Sequence, residues 1–167
     1  MAKAKDYDVI VIGSGAGAAI VEGALAQGLR VALVDRGPLG GTCLNVGCIP
    51  TKMLTFPADR VVEIEESRKL GIEAHIERVD FAGIMERMRR LVGEDQEQIR
   101  HGIAHTPELD FYELEGAFVD KHTLQVGGKR IRGKRIFIVA GARPLIPPIA
   151  GIDRVPYLTN ESVLALT

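Results

Sequence analysis

The chain has 167 residues, with 21 Lys and Arg against 22 Asp and Glu, 46% hydrophobic residues and 19 glycines. That balance suits one α/β domain with a buried core; it leaves no charge excess for nucleic acid, and no apolar run is long enough for a membrane span or a signal peptide. The polar start, Met1 to Asp8, and the short apolar run Val9 to Ile12 make a cytoplasmic location the expectation, and nothing in the composition suggests a disulfide-stapled secreted protein.

In chain order, Asp8 to Ile12 (DVIVI) reads as a short β-branched strand and the Ala-rich stretch Ala18 to Gln27 as a helix ended by Gly28. Arg30 to Asp35 (RVALVD) is a second strand. Strand, turn, helix, strand is a parallel βαβ unit with a right-handed crossover. Further on, Phe81, Ile84, Met85, Met88, Leu91, Val92 and Ile99 recur at helical spacing among charged residues, which predicts one long amphipathic helix over 80–102. Met85 and Met88 belong to its core stripe. Short strands are then expected at Phe111–Leu114, Ala117–Val119, Thr123–Val126, Lys129–Ile131 and Ile136–Ala140, punctuated by Gly116, Gly127, Gly128 and Gly133. Pro144, Pro147, Pro148 and Pro156 predict an extended segment, and Asn160 to Leu164 a last helical turn. The expected fold is α/β: a Rossmann-like domain with a parallel sheet, a small antiparallel β-meander and a long amphipathic helix.

Gly13-Ser14-Gly15-Ala16-Gly17-Ala18 follows a strand, opens a helix, and precedes by about 20 residues an acid, Asp35, at the end of the next strand. Those are the contexts a dinucleotide fingerprint requires. Gly13 permits the tight turn, Gly15 lets the backbone approach a diphosphate, and Ala18 takes the third small position, where helix and strand touch. Asp35 is placed to accept hydrogen bonds from ribose hydroxyls. The helix N-terminus attracts the diphosphate.

The segment Gly40 to Lys52 (GGTCLNVGCIPTK) holds both cysteines, Cys43 and Cys48, separated by four residues. A disulfide closing so short a loop removes little chain entropy, roughly 2 kcal/mol. In a reducing cytosol such a pair is catalytic, redox-sensing or metal-binding. A metal needs more ligands than this segment supplies, and His75, His101, His105 and His122 do not fall at ligand spacing with the cysteines. A redox role ranks first, and no metal site is expected.

Taken together, the block Gly13 to Lys52 resembles the class I pyridine nucleotide-disulfide oxidoreductases, with dihydrolipoamide dehydrogenase closest in wording and mercuric and glutathione reductases sharing the arrangement. The resemblance continues through Gly116-Ala117 and Ile136 to Pro144. It implies FAD around Gly13, Gly15, Ala16, Asp35 and Arg36, with Gly41 and Thr42 against the phosphates and Ala117 and Gly141 also in the cofactor site. It further implies that Cys48 is the flavin-facing, charge-transfer thiol and Cys43 the interchange thiol that meets substrate. Lys52, one helical turn beyond Cys48, would stand near the flavin edge. Two positions depart from the family pattern: Ala140 precedes Gly141 where a threonine is usual, and Asp35 stands where a longer glutamate is common.

The same resemblance implies residues 1–150 as the first segment of an FAD-binding domain, and 151–167 as an extended linker toward an NAD-binding domain and a dimer-forming domain that this sequence does not include. The chain is then expected to be a fragment, a cloned domain or one subunit of a split enzyme, with an exposed apolar face and, when complete, a homodimer. Its substrate would be a small dithiol or disulfide, lipoamide by the wording of the cysteine block, with a mercuric or glutathione reductase-like member as the alternative. A non-catalytic FAD-binding module needing a partner chain and a plain NAD-dependent dehydrogenase are the remaining readings. The basic cluster Lys129, Arg130, Arg132, Lys134 and Arg135 reads as a solvated hairpin face.

Overall fold

The computed structural model describes residues 4–167. Two compact units divide the chain, one holding everything up to Asn45 together with Asp95–Ala142, the other Val46–Glu94 with Arg143–Thr167.

The first unit is built on a six-stranded mixed sheet: β1 (Lys5–Ile12), β2 (Val31–Val34), β3 (Leu109–Tyr112), β4 (Gly116–Asp120), β5 (Thr123–Val126) and β6 (Lys129–Ile138), in the order β3-β2-β1-β6-β5-β4. β1 runs parallel to both β2 and β6, and β2 parallel to β3, while β4, β5 and β6 form the expected antiparallel meander. All four residues of β2 are buried, as a parallel strand covered on both faces requires. One face of the sheet carries Tyr7, Ile10, Ala32, Val34, Leu124, Val126 and Ile131. The other carries Val9, Val11, Val31 and Leu33, covered by Val21 and Ala24 of α1 (Gly17–Leu25) and by Ile103 near the end of α4 (Phe81–Ala104).

Strand β1 departs from strict alternation. The amides of Asp8 and Val9 both donate to the Arg30 carbonyl, at 3.0 and 3.2 Å, a bulge that puts Tyr7 on the same face as Ile10. There the Tyr7 hydroxyl donates to Asp110 Oδ2 at 2.6 Å and lies 2.6 Å from the Tyr112 hydroxyl. With its single hydrogen on Asp110, Tyr7 accepts from Tyr112. Lys5 closes the group with a 2.6 Å ion pair to Asp110. Helix α1 ends as the sequence indicates: Gly28 has φ +70°, and the amides of Gly28 and Leu29 donate to Leu25 and Ala24, a Schellman closure.

Gly133 does not separate two strands. β6 runs unbroken from Lys129 to Ile138, pairing antiparallel with β5 over its first residues and parallel with β1 from Ile131 onward. A Cβ at Gly133 would lie 2.9 Å from Ile10 Cγ1 and 3.0 Å from the Arg135 carbonyl oxygen, so this glycine marks a close approach inside a strand. β3 lies two residues earlier than the sequence indicates, leaving Glu113 outside the strand, where it pairs with Arg100 at 2.7 and 2.8 Å.

In the second unit, α3 (Cys48–Glu66) leads through a 3-10 turn at Ser67–Leu70. Sequence reading gives no sign of so long a helix, because Pro50 and Pro57 fall within it. Pro50 sits in the first turn, where its missing N–H has no intrahelical partner to lose. On α4, Met85, Met88 and Val92 are buried as expected, and Arg89 donates to the carbonyls of Leu164 and Leu166. The expected last helical turn is a 3-10 turn at Ser162–Ala165. Leu145, Ile149, Val155 and Leu158 are exposed. No helix of the described residues is long and apolar enough to cross a membrane.

Candidate functional site

The chain leaves β1 at Ile12 into a turn fixed from two sides. The Gly13 amide donates to the Val34 carbonyl at 2.9 Å, and the Val139 amide donates to the Ile12 carbonyl at 2.9 Å. Gly13 has φ +108°, and a Cβ there would lie 2.3 Å from the Val139 carbonyl oxygen. No other residue fits. The helix–strand contact expected at Ala18 is made instead by Gly17, whose added Cβ would lie 2.7 Å from Val11 Cγ1. Gly17 is buried and Ala18 exposed, because the helix phase turns position 17 toward β1.

Asp35 follows β2 directly. Its Oδ2 accepts the Ser14 amide at 2.6 Å and its Oδ1 the Gly37 amide at 2.9 Å, leaving each oxygen a further lone pair for a ribose hydroxyl. Arg36 points to Glu115 in an exposed ion pair. The Ser14 hydroxyl, buried, accepts the Gly40 amide at 3.0 Å. Gly40 and Gly41 have φ +92° and +63°, and a Cβ on Gly41 would lie 2.5 Å from Gly15 Cα. The loop that leads into the cysteines therefore lies backbone on backbone against the dinucleotide turn.

Around this contact the donor set suits a diphosphate. Helix α1 has Ala16 at its N-cap, with no side-chain cap and no acidic residue in its first turn, so no capping side chain competes for its first amides. Gly15 and Gly41 leave the approach clear of side chains. These residues fit the diphosphate of FAD.

Cys43 lies in α2 (Gly41–Val46), next to exposed Thr42 and one residue before buried Leu44. Cys48 is the first residue of α3, after Gly47. Both cysteines are exposed thiols. Lys52, also exposed, follows Cys48 by four residues on the same helix face.

The sequence pattern of one family, pyridine nucleotide-disulphide oxidoreductase, matches residues 7–166, a span that takes in both the glycine-cradled turn and the dithiol loop. The chain belongs to that family. Among its relatives, mercuric reductase from Lysinibacillus sphaericus is 33% identical over 162 residues, covering 96% of this chain and 30% of the relative. Mycothione reductase from Mycobacterium tuberculosis is 33% identical over 172 residues, covering 96% of this chain and 36% of the relative. A solved structure, the HOCl-induced flavoprotein disulfide reductase RclA from Escherichia coli, superposes with a TM-score of 0.78 at 32% identity, over 96% of this chain and 34% of that one. The chain spans about a third of the length of these relatives. Pyridine nucleotide-disulphide oxidoreductases are FAD-dependent flavoproteins, and the α/β fold and cofactor class read from the sequence agree with this membership.

Two further expected residues follow backbone that packs on this turn and on β2: Ala140, just before Gly141, would lie 3.1 Å from a Cβ on Gly13, and a Cβ on Gly116, just before Ala117, would lie 3.2 Å from Val34 Cγ1. Ala117 stands on edge strand β4, opposite Gln125, and Gly141, with φ +75°, is exposed just after β6. Sequence reading missed three side chains that hold the loop. Ser14 is one, and its only signal was a small polar residue between two glycines. The others are Asn45 and Gln96, joined by a 2.6 Å hydrogen bond from Gln96 Nε2 to Asn45 Oδ1. Nothing in a linear pattern links positions 51 residues apart.

The basic cluster is a solvated face: Arg132 pairs with Asp6 and Lys134 with Asp8, each at 2.7 Å. His101 and His105 stack at 4.0 Å, and among the described residues no group of three or more metal donors occurs.

Proposed function

We propose that this chain is the FAD- and dithiol-bearing part of a disulfide reductase. It would bind FAD through Gly13, Gly15, Ala16, Asp35, Arg36, Gly41, Thr42, Ala117 and Gly141, and carry the redox pair Cys43 and Cys48. The contact between Gly15 and Gly41 carries this reading: it joins the turn that fits a diphosphate to the loop that leads into the cysteines. Residues 1–150 form the FAD segment in this reading and 151–167 a linker, with NAD bound by a further domain and a homodimer in the cytoplasm as the working form.

The chemistry follows from the two thiols. In the oxidised pair, a substrate thiolate attacks Cys43 sulfur, forming a mixed disulfide and releasing Cys48 as a thiolate. The second substrate thiolate then attacks the substrate sulfur of that mixed disulfide; the substrate leaves as a disulfide, Cys43 leaves as a thiolate, and two electrons remain on the pair. FAD, when bound, supplies the acceptor for those electrons. Lys52, one helical turn beyond Cys48, would place a positive charge on the helix face that carries Cys48.

The substrate of this reading is a small dithiol, lipoamide among the candidates. A thiophilic metal ion is the second, favoured by the matches to mercuric reductases from Lysinibacillus sphaericus and, at 36% identity, Bacillus cereus.

Flavin fluorescence tests the cofactor assignment. FAD added to the purified chain is expected to be bound and not displaced by NAD, and Gly15→Val is expected to abolish binding. Equal competition by NAD would assign the turn to a nicotinamide dinucleotide instead.

A further inference from the structure

The loop that touches the dinucleotide turn is built on two glycines. Gly40 and Gly41 are consecutive left-handed glycines, the residue type that loses most freedom on ordering. Ser14 Oγ accepts the Gly40 amide at 3.0 Å, and on the carbonyl side the loop is held by the Asn45 side chain. Its Nδ2 donates to the Gly41 carbonyl at 2.8 Å and the Leu39 carbonyl at 2.9 Å, with the Pro38 carbonyl at 3.4 Å. One side-chain amide, with its two hydrogens, thus ties the Leu39 and Gly41 carbonyls of the loop to the helix that carries Cys43.

An asparagine does this in only one orientation, since turning the amide over would set Oδ1 against those carbonyls. The orientation is fixed from α4, where Gln96 Nε2 donates to Asn45 Oδ1 at 2.6 Å. Both side chains are partly buried, so water competes poorly for these bonds. The segment 38–41, Asn45 and Gln96 all belong to the first unit.

We propose that Asn45 and Gln96 form a polarised amide clamp, a pair of positioning residues that keeps Gly41 against Gly15 and so sets the place of Cys43 relative to the flavin site. The flavin clause rests on the function proposed above; the clamp itself rests on the hydrogen bonds alone. Gln96 works as a donor. Its isosteric replacement Gln96→Glu offers oxygen to oxygen and turns the Asn45 amide away from the loop, whereas Gln96→Lys keeps a donor at similar reach.

The test measures three quantities on the intact chain: exchange of the Gly40 amide without flavin, the FAD dissociation constant, and thermal unfolding as a control for folding. Gln96→Glu is expected to speed Gly40 exchange and to weaken FAD binding, each about tenfold, the scale of losing one partly buried hydrogen bond. Gln96→Lys is expected to stay within about twofold of wild type. In the double variant Asn45→Ala, Gln96→Glu, the second change is expected to add nothing to the first, because both act through one clamp. Equal effects of Glu and Lys, or additive effects in the double variant, would overturn the clamp. Should the wild-type chain hold no FAD, the flavin reading fails while Gly40 exchange still decides the clamp: unchanged exchange in Gln96→Glu refutes it, and faster exchange with Lys rescue upholds it.

Discussion

Gly41 shows how much one residue decides. Its φ of +63° and the 2.5 Å gap its Cβ would leave to Gly15 Cα exclude a side chain on two independent grounds. Gly41→Ala is expected to destabilise the chain by about 1–3 kcal/mol in urea unfolding and to weaken FAD binding, because the loop must lift from the turn. A variant with wild-type stability and affinity would show that the contact is dispensable.

The Tyr7 group sets a pH window. Burial, then its hydrogen bonds with Asp110 and Tyr112, push the Tyr7 phenol far above its ordinary value. For Asp110, burial alone would raise the carboxyl, but hydrogen bonds from Lys5 and Tyr7 outweigh it and hold the group below its usual range. The Asp110 contribution is present above an unfolded value of about 3.9 and is lost as pH falls through the folded one. The Tyr7 contribution runs oppositely, present below about 10 and lost as pH rises above it. Melting temperature against pH is expected to fall below about 4 and above about 10, and Tyr7→Phe to lower the plateau and shrink the alkaline loss. Ser14, which both donates to Asp35 and accepts from Gly40, belongs to this scale as well. Sequence reading finds the glycines around it because each has a steric reason to be glycine, but it cannot see a hydroxyl whose partner lies 26 residues away.

Among the elements, β6 is where reading by punctuation goes astray. Gly133 looks like a break between two strands, yet the strand continues because β1 supplies a parallel neighbour on the far side of the meander. Tertiary pairing overrides the local signal. Gly133→Ala is expected to lower stability by about 1–3 kcal/mol through overpacking against Ile10, read as a shifted urea midpoint; a neutral substitution would mean that Ile10 repacks freely. Helix α4 was legible because its apolar stripe repeats along its length and packs with Met85, Met88 and Val92 buried. Helix α3 was not: among its 19 residues only Pro50 is buried, so no apolar stripe announces it, and two prolines argue against it.

For the whole molecule, the family was legible in one stretch, Gly13 to Lys52, where the fingerprint and the cysteine segment follow each other; the structure adds that the two touch. Substrate choice was not legible, because mercuric, mycothione and disulfide reductases all match across 96% of this chain while it spans about a third of each.

If the contact between Gly15 and Gly41 brings a redox dithiol to a flavin, the flavin must sense the state of the dithiol. The visible spectrum of the chain reconstituted with FAD, before and after one equivalent of a dithiol, reads this out. Bound-flavin bands are expected to gain a long-wavelength shoulder on adding dithiol, and the shoulder to be absent in Cys48→Ser. A protein that stays colourless, or one whose flavin spectrum is indifferent to dithiol, would refute the assignment.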